Sequence, residues 1–233
     1  MNIDISFMWD ALRQIAVYIP VTLELTLGGL LIALPFAILF AFAAYRKVPV
    51  LYQISKVFIS FVRGTPIILH MFVLYNLLPE LLNCYLKAIG SDFKIWDVDP
   101  KWYAFIALSL YPLASLTECF RSALATVDKG QMEAAETVGL TRLQGYLRIV
   151  IPQAVVSAMP LMCNVVIDVL KSTSLAFSMM VVEITGEAKI LAGLSMAYVE
   201  AYLDIFIIYI ILVIAIENIF KLVERRISRY KVA

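Results

Sequence analysis

Five long apolar stretches, separated by shorter polar segments, dominate the hydrophobic pattern of the chain. A helix needs about 20 mostly apolar residues to cross the roughly 30 Å hydrocarbon core of a bilayer, and each stretch comes close to that length. The pattern therefore predicts an all-α integral membrane protein with a single transmembrane domain over residues 1–233. The predicted spans are 20–45, 56–79, 102–127, 152–171 and 198–222.

Residues 1–19 are predicted to form an interfacial helix in front of the first span. Their apolar residues recur at helical spacing, with Trp9 and Arg13 among them, which is typical of an amphipathic helix lying in the membrane surface. A simple extension of the first span is the alternative. The apolar positions are Met8, Leu12, Ile15 and Ile19.

The second span is interrupted by the polar sequence Arg63-Gly64-Thr65-Pro66. Gly and Pro disfavour a continuous helix, and the 13 residues from Pro66 to Pro79 give only about 20 Å of helix. Since that is too short to cross the membrane, we expect the break to lie at depth within the span. The half-helix that follows would expose backbone N–H groups, which can bind a carboxylate.

Composition supports a membrane protein and excludes other classes. The chain is 62% hydrophobic and 16% charged, whereas soluble domains are about half apolar and about a quarter charged. A net charge of +1 argues against a nucleic-acid-binding surface. A single His and three dispersed Cys make a zinc site improbable on ligand number, so no metal site is expected.

Lys and Arg collect in alternate polar segments, which predicts the orientation of the chain. Segments 46–56 and 128–151 and the C-terminal tail are rich in basic residues, and basic loops favour the cytoplasmic side. The five spans therefore predict an N-terminus outside and a cytoplasmic C-terminus. The basic residues of the tail are Lys221, Arg225, Arg226, Arg229 and Lys231.

Segment 128–151 contains the clearest motif. Three residues separate Glu133-Ala134-Ala135 from Gly139. Nine residues then separate Gly139 from Ile149, and one residue separates Ile149 from Ile151, which Pro152 follows. Residues 131–138 are strong helix formers, and Thr141 can cap a second short helix after the Gly elbow. The motif resembles the EAA loop of ABC-importer permeases, with Ile151 where Leu is usual.

The resemblance implies a type I ABC-importer permease fold, in which this cytoplasmic coupling loop docks on an ATPase. An ordinary connecting helix is the alternative. The chain has no Walker-type GxxxxGK[ST] loop, so we expect ATP and Mg on a partner ATPase, no cofactor on this chain, and no enzymatic activity of its own. The implied coupling residues are Glu133, Ala134, Ala135, Gly139, Leu140 and Pro152.

Further motifs resemble the polar amino-acid permeases, which serve His, Arg, Gln, Glu, opines and cystine. They are the RGTP sequence at 63–66, Glu118-x-x-Arg121, KGQ at 129–131, PQA at 152–154 and KSTSL at 171–175. Charges within apolar spans are costly and usually face the bundle interior or a wet cavity. The predicted substrate-pathway residues are Arg63, Gly64, Thr65, Pro66, His70, Glu118, Arg121, Asp168, Lys171, Ser172, Thr173 and Ser174.

Other interpretations of these charges remain open. Glu118 and Arg121 can pair along one helix face, and Arg63 can snorkel to the headgroups. Lys171 can anchor at the outer interface. Asp168 can serve a cationic or extended substrate, although a pair with Lys171 at three-residue spacing is favoured. His70 is interpreted as a hydrogen-bonded interior side chain rather than a proton relay.

The family resemblance also implies an assembly in the bacterial cytoplasmic (inner) membrane. It would contain two ATPase subunits, a second permease copy or paralogue, an extracytoplasmic amino-acid-binding protein and surrounding lipid, but no nucleic acid. Short segments at 18–23 and 47–50 weakly resemble cystine permeases, so cystine is one candidate cargo. The alternatives from other classes are a secondary transporter or channel acting alone, and an integral-membrane enzyme.

Overall fold

The computed structural model describes residues 4–91, 93 and 95–228; Arg229 and Lys231 of the predicted basic tail lie outside these residues. This part of the chain is helical, in agreement with the predicted all-α fold. The α-helices are α1 (Ile5–Ala16), α2 (Ile19–Tyr45), α3 (Pro49–Gly64), α4 (Ile67–Ala88), α5 (Pro100–Thr126), α6 (Lys129–Thr137), α7 (Arg142–Gly145), α8 (Ile151–Ser172), α9 (Ile184–Ser195) and α10 (Tyr198–Ile227).

Within the described residues, five helical segments are long and apolar enough to cross a membrane, in agreement with the predicted number. Four of them are α2, α4, α5 and α10. The other is a continuous helical stretch, Arg142–Met179, which includes α7 and α8.

The turn at Val17 and Tyr18 separates α1 from α2, so α1 does not extend the first span. Ala11 and Ile15 are buried against the apolar faces of α9 and α10, whereas Trp9 is exposed. A position of α1 in the membrane surface stays a prediction.

Close packing of α2 against α5 forms the centre of the bundle. Ala33 and Ala37 of α2 are fully buried. A Cβ added at Gly29 would lie 3.1 Å from the Cβ of Leu108 on α5. In lipid the hydrophobic effect does not drive two helices together, so their association depends on close packing. Small residues allow the two backbones to approach closely. The α2–α5 pair therefore serves as the frame against which the other helices pack.

The second span differs from the prediction of 56–79. The helix does not end at Pro79 but continues to Ala88. The whole of α4 has 22 residues, which is about 33 Å of helix. A transmembrane helix tolerates an internal proline because neighbouring groups satisfy the freed carbonyl. The shortness of the segment before Pro79 was therefore not a valid reason to place the break at depth.

The segment after α5 also differs in one respect from the predicted pair of short helices. The first, α6, is a separate helix, and Gly139 follows it in a left-handed conformation. The second, α7, does not end; it continues through a π-helical turn at Tyr146–Val150 into α8. The helical segment that contains the fourth candidate span thus starts ten residues before the predicted Pro152, at Arg142.

Glu183 is a fully buried carboxylate in the connection between α8 and α9. Its oxygens accept hydrogen bonds from the backbone N–H groups of Gly186 at 2.8 Å and Thr185 at 3.0 Å, and from the Tyr209 hydroxyl at 3.3 Å. Burial raises the pKa of Glu183, and these donors act against that shift. The carboxylate therefore caps α9 and ties it to α10.

Glu183→Ala is expected to destabilise the folded permease by about 3 kcal/mol, since it leaves buried donors without an acceptor. Glu183→Gln keeps one oxygen for the N–H of Gly186 and is expected to cost about 1 kcal/mol. The melting temperatures of the two variants in detergent check this order. Equal melting temperatures for the Ala variant and the unaltered protein would contradict the capping role.

Candidate translocation site and coupling loop

The break between α3 and α4 lies against the middle of α5. Ile59 and Val62, near the end of α3, pack against Leu110 and Ala114, and Ala114 is halfway along the 27-residue α5. The break is therefore level with the middle of α5, a candidate span, and its depth in the membrane stays a prediction. No side chain caps the first turn of α4, which begins beside Pro66.

A cavity of about 640 Å³ opens at this break, and we call it the break cavity. Several predicted pathway residues from distant parts of the sequence meet there, together with Tyr111, which the sequence reasoning missed. A tyrosine in an apolar span carries no distinguishing pattern, so no sequence signal would have found it. The polar lining consists of Arg63, Thr65, His70, Tyr111, Asp168, Lys171, Ser172 and Ser174.

Five predicted pathway residues do not line the break cavity, and two of them, Glu118 and Arg121, are described below. Thr173 is fully buried and donates to the carbonyl of Leu170 at 2.7 Å. Gly64 lines a neighbouring cavity on the other side of Arg63, and Pro66 serves as the N-cap residue of α4.

Asp168 does not pair with Lys171, which corrects the favoured prediction. Its Oδ2 accepts a hydrogen bond from the Tyr111 hydroxyl at 3.0 Å. Within the described ranges, no ion pair closer than 4.0 Å includes either Asp168 or Lys171. Three-residue spacing brings two side chains onto one helix face, but the Asp168 carboxylate is hydrogen bonded to Tyr111 on another helix.

His70 has the interior position predicted for it. The side chain is buried, its Nε2 is hydrogen bonded to the hydroxyl of Thr65, and its ring lies 5.5 Å from that of Phe61. The Thr65 hydroxyl also contacts the carbonyl of Phe61 at 2.8 Å. These contacts hold the two sides of the helix break together.

Glu118 and Arg121 form an ion pair in which one carboxylate oxygen accepts two hydrogen bonds. Glu118 Oε2 accepts from Arg121 Nη2 at 2.6 Å and from Nε at 3.0 Å. The pair lies in a second cavity of about 700 Å³, the pair cavity, which is also lined by Lys47, Lys56 and Arg63. The pairing alternative left open by the sequence is thus the arrangement in the structure.

Arg121→Gln is expected to lower transport about tenfold, because it removes the ion-pair partner of the half-buried Glu118. If the pair is structural only, the double variant Glu118→Gln/Arg121→Gln recovers most of the activity. If either side chain contacts cargo, the double variant is at least as impaired as the single one. Uptake rates of the three proteins at matched membrane levels separate these outcomes.

The coupling loop forms a compact knob around Gly139. Ala135 is buried inside it, and the Leu140 N–H donates to the carbonyl of Ala135 at 3.0 Å. An ion pair of 3.0 Å between Arg142 and Glu136 bridges the elbow. The knob nevertheless exposes Glu133 and Ala134, and it exposes large apolar side chains at Val138, Leu143 and Leu147, with 76%, 68% and 58% of their surface accessible.

The knob is connected to the turn between α2 and α3 through Tyr146. The Tyr146 hydroxyl accepts from Arg46 Nη1 at 3.1 Å, and its ring meets that of Phe42 edge-on at 5.7 Å. The π-helical turn that begins at Tyr146 is a feature often found at functional sites. Sequence reasoning missed this contact because 100 residues separate its partners.

Residues 33–229 match the family model described as "Binding-protein-dependent transport system inner membrane component". The chain belongs to this family. This inner membrane component is 37% identical over 228 residues to the probable amino-acid permease protein YxeN of Bacillus subtilis (strain 168), covering 98% of this chain and 97% of the relative. It is 35% identical over 226 residues to the L-cystine transport system permease protein TcyL of the same organism, covering 97% and 92%.

Solved structures show the same fold. A crystal structure of an amino acid ABC transporter with histidines aligns with a TM-score of 0.79 at 24% identity, over 97% of this chain and all of that chain. An inward-facing MetNI methionine ABC transporter aligns with a TM-score of 0.68 at 15% identity, over 97% and 99%. The predicted resemblance to ABC-importer permeases is thereby confirmed, and this inner membrane component is a multi-pass permease of the bacterial inner membrane.

Proposed function

We propose that the chain is the permease subunit of an amino-acid ABC importer, and that two permease subunits, identical or related, form the pathway for a polar amino acid. The similarity to amino-acid permeases along nearly the whole chain supports the cargo class. The break cavity supports a pathway at membrane depth, because it gathers charged and hydroxyl side chains beside an uncapped helix start. An extracytoplasmic binding protein would deliver the amino acid.

The observation that carries the coupling role is the apolar surface of the knob. Val138, Leu143 and Leu147 lie in a segment that is otherwise polar, and exposed apolar clusters with a polar rim mark protein interaction sites. An ATPase groove is the partner that the EAA motif implies. ATP and Mg bind that partner, whose closure moves the knob.

The described contacts suggest how the motion would spread. Displacement of the knob pulls on α8 through the continuous helix from Arg142, and on the α2–α3 turn through Tyr146. The first route reaches Asp168 and the second reaches Arg63, so both would change the break cavity.

Copurification with a P-loop ATPase tests the proposal. Leu143→Glu is expected to abolish copurification, because it places a charge on the docking surface. Leu194→Glu is the matched control, since Leu194 is 81% exposed but lies on α9, which packs with α1 and α10 rather than with the knob. Copurification that survives Leu143→Glu, or uptake driven by an ion gradient without an ATPase, would overturn the proposal.

A further inference from the structure

The break cavity has an unbalanced set of charges. Arg63 and Lys171 are its cations, and Asp168 is its carboxylate. Among the described residues, neither cation lies within 4.0 Å of an acidic side chain. Charge within a membrane protein's spans is costly and is usually compensated. We therefore expect a ligand to supply anionic groups to these two cations.

The ion pair between Glu118 and Arg121 does not neutralise the cations of the break cavity. Glu118 could have neutralised a cation of the pathway, but it is committed to Arg121 through two short hydrogen bonds. Asp168 keeps its position through Tyr111 rather than through a cation. Arg63 shares a further cavity with Glu118 and Asp168, but it forms no ion pair with either of them. Two positive charges are therefore available to a ligand.

The uncharged polar groups of the cavity are largely occupied. The Ser172 hydroxyl donates to the carbonyl of Asp168 at 2.7 Å, and that of Ser174 to the carbonyl of Lys171 at 2.7 Å. The Thr65 hydroxyl bonds to Phe61 and His70. These hydroxyl protons are used within the protein, so the charged groups Arg63 and Lys171 supply most of the side-chain donors that remain for a ligand.

The two cations lie at different borders of the break cavity. Arg63 also lines the pair cavity, towards α3 and the knob, whereas Lys171 also lines a cavity shared with Tyr202 and Tyr209 of α10. A ligand that contacts both cations must therefore carry anionic groups at both of its ends. The volume of about 640 Å³ is ample for a small amino acid.

We propose that the cargo is an amino acid with two carboxylates and a single ammonium group, an inference that rests on the proposed importer function. Cystine has two carboxylates but also two ammonium groups, so it does not match two cations and one carboxylate. One carboxylate binds Arg63 and the uncapped start of α4, the second binds Lys171, and the ammonium group binds the free oxygen of Asp168. A neutral amino acid leaves one cation without a partner. A cationic amino acid adds a positive charge beside two others, which is electrostatically unfavourable.

Binding to the detergent-purified permease–ATPase complex, without the binding protein, tests this assignment. The probes are radiolabelled L-glutamate, L-glutamine and L-arginine, with L-aspartate, L-2-aminoadipate and L-cystine as competitors. Glutamate and glutamine have the same shape and differ in one charge. We expect an acidic amino acid to bind at least about tenfold tighter than glutamine, because a charged hydrogen bond is lost with the amide.

Lys171→Gln should remove this preference, lowering the affinity for the acidic amino acid at least about tenfold and leaving that for glutamine unchanged. Lys171→Arg, which keeps the charge, should retain it. Equal or tighter binding of glutamine, arginine or cystine would overturn the inference. So would a Lys171→Gln variant with a lower melting temperature but unchanged selectivity, which is the result expected of a headgroup anchor.

The two proposals fail in different ways. Loss of the acidic preference with intact ATPase copurification and ATP-driven uptake of another amino acid would overturn only the cargo assignment. Failure of the chain to copurify with any P-loop ATPase would overturn the importer function itself.

Discussion

Gly139→Val is expected to abolish ATP-driven uptake while the permease remains folded in the membrane. Gly139 has a φ of +83° and closes α6, with the Leu140 N–H reaching back to Ala135. A β-branched residue strongly disfavours this left-handed conformation. A Cβ at this position would meet no atom within 4 Å, so the effect comes from the backbone and not from a steric clash.

The strained elbow would reorient α6 relative to α7 and move the docking surface off the ATPase. We therefore expect at least about a 30-fold fall in uptake, on the order of the 2 kcal/mol that separates a β-branched residue from glycine in this conformation. Gly139→Asn is the matched control, because Asn accepts the left-handed region. Its uptake should stay within about threefold of normal.

Three measurements are needed on both variants, namely membrane level, ATP hydrolysis by the complex and uptake in proteoliposomes. A valine variant that hydrolyses ATP without transport identifies the elbow as the coupling element. Normal uptake by that variant would refute the coupling role proposed for Glu133–Pro152.

Tyr146→Ala is expected to lower uptake about tenfold. The substitution removes both the hydrogen bond with Arg46 and the edge-on contact with the ring of Phe42, and aromatic pairs contribute about 1 kcal/mol beyond their area. Without the contact, motion of the knob no longer reaches the α2–α3 turn and hence Arg63. ATP hydrolysis should continue, since Leu143 and Leu147 keep their exposed positions.

Tyr146→Phe separates the two contributions. It keeps the ring against Phe42 and loses only the hydroxyl that accepts from Arg46. This exposed hydrogen bond contributes about 1 kcal/mol at most, so we expect uptake within about fivefold of normal. Uptake rates and ATPase rates of both variants check the order, and equal uptake by the Ala variant and the unaltered protein would rule out the connection.

Prolines illustrate how far the sequence can be interpreted locally. Pro66 begins α4 as its N-cap residue, in agreement with the predicted break. Pro79 looked equivalent in the sequence, yet it lies inside α4, as Pro35 lies inside α2. The difference depends on whether neighbouring groups satisfy the backbone, which tertiary packing decides.

Asp168 shows the same limit for side chains. Its spacing from Lys171 allowed a pair on one helix, but the folded chain presents the Tyr111 hydroxyl from α5 at 3.0 Å. Glu118 and Arg121 had the same spacing and did pair. Spacing along a helix defines the possible partners, and the helix that packs alongside decides among them.

The sequence by itself determined the number of candidate spans, the helix break at Arg63–Pro66 and the Gly elbow of the coupling loop. These follow from apolar length and from the backbone preferences of Gly and Pro, which act over a few residues. Only the tertiary structure decided that Tyr111 holds Asp168 and that Tyr146 joins the knob to Arg46. It also decided that, among the described residues, Arg63 and Lys171 form no ion pair. These two hydrogen bonds join residues that are 57 and 100 positions apart in the sequence. Such residues come into contact only when whole helices pack against one another.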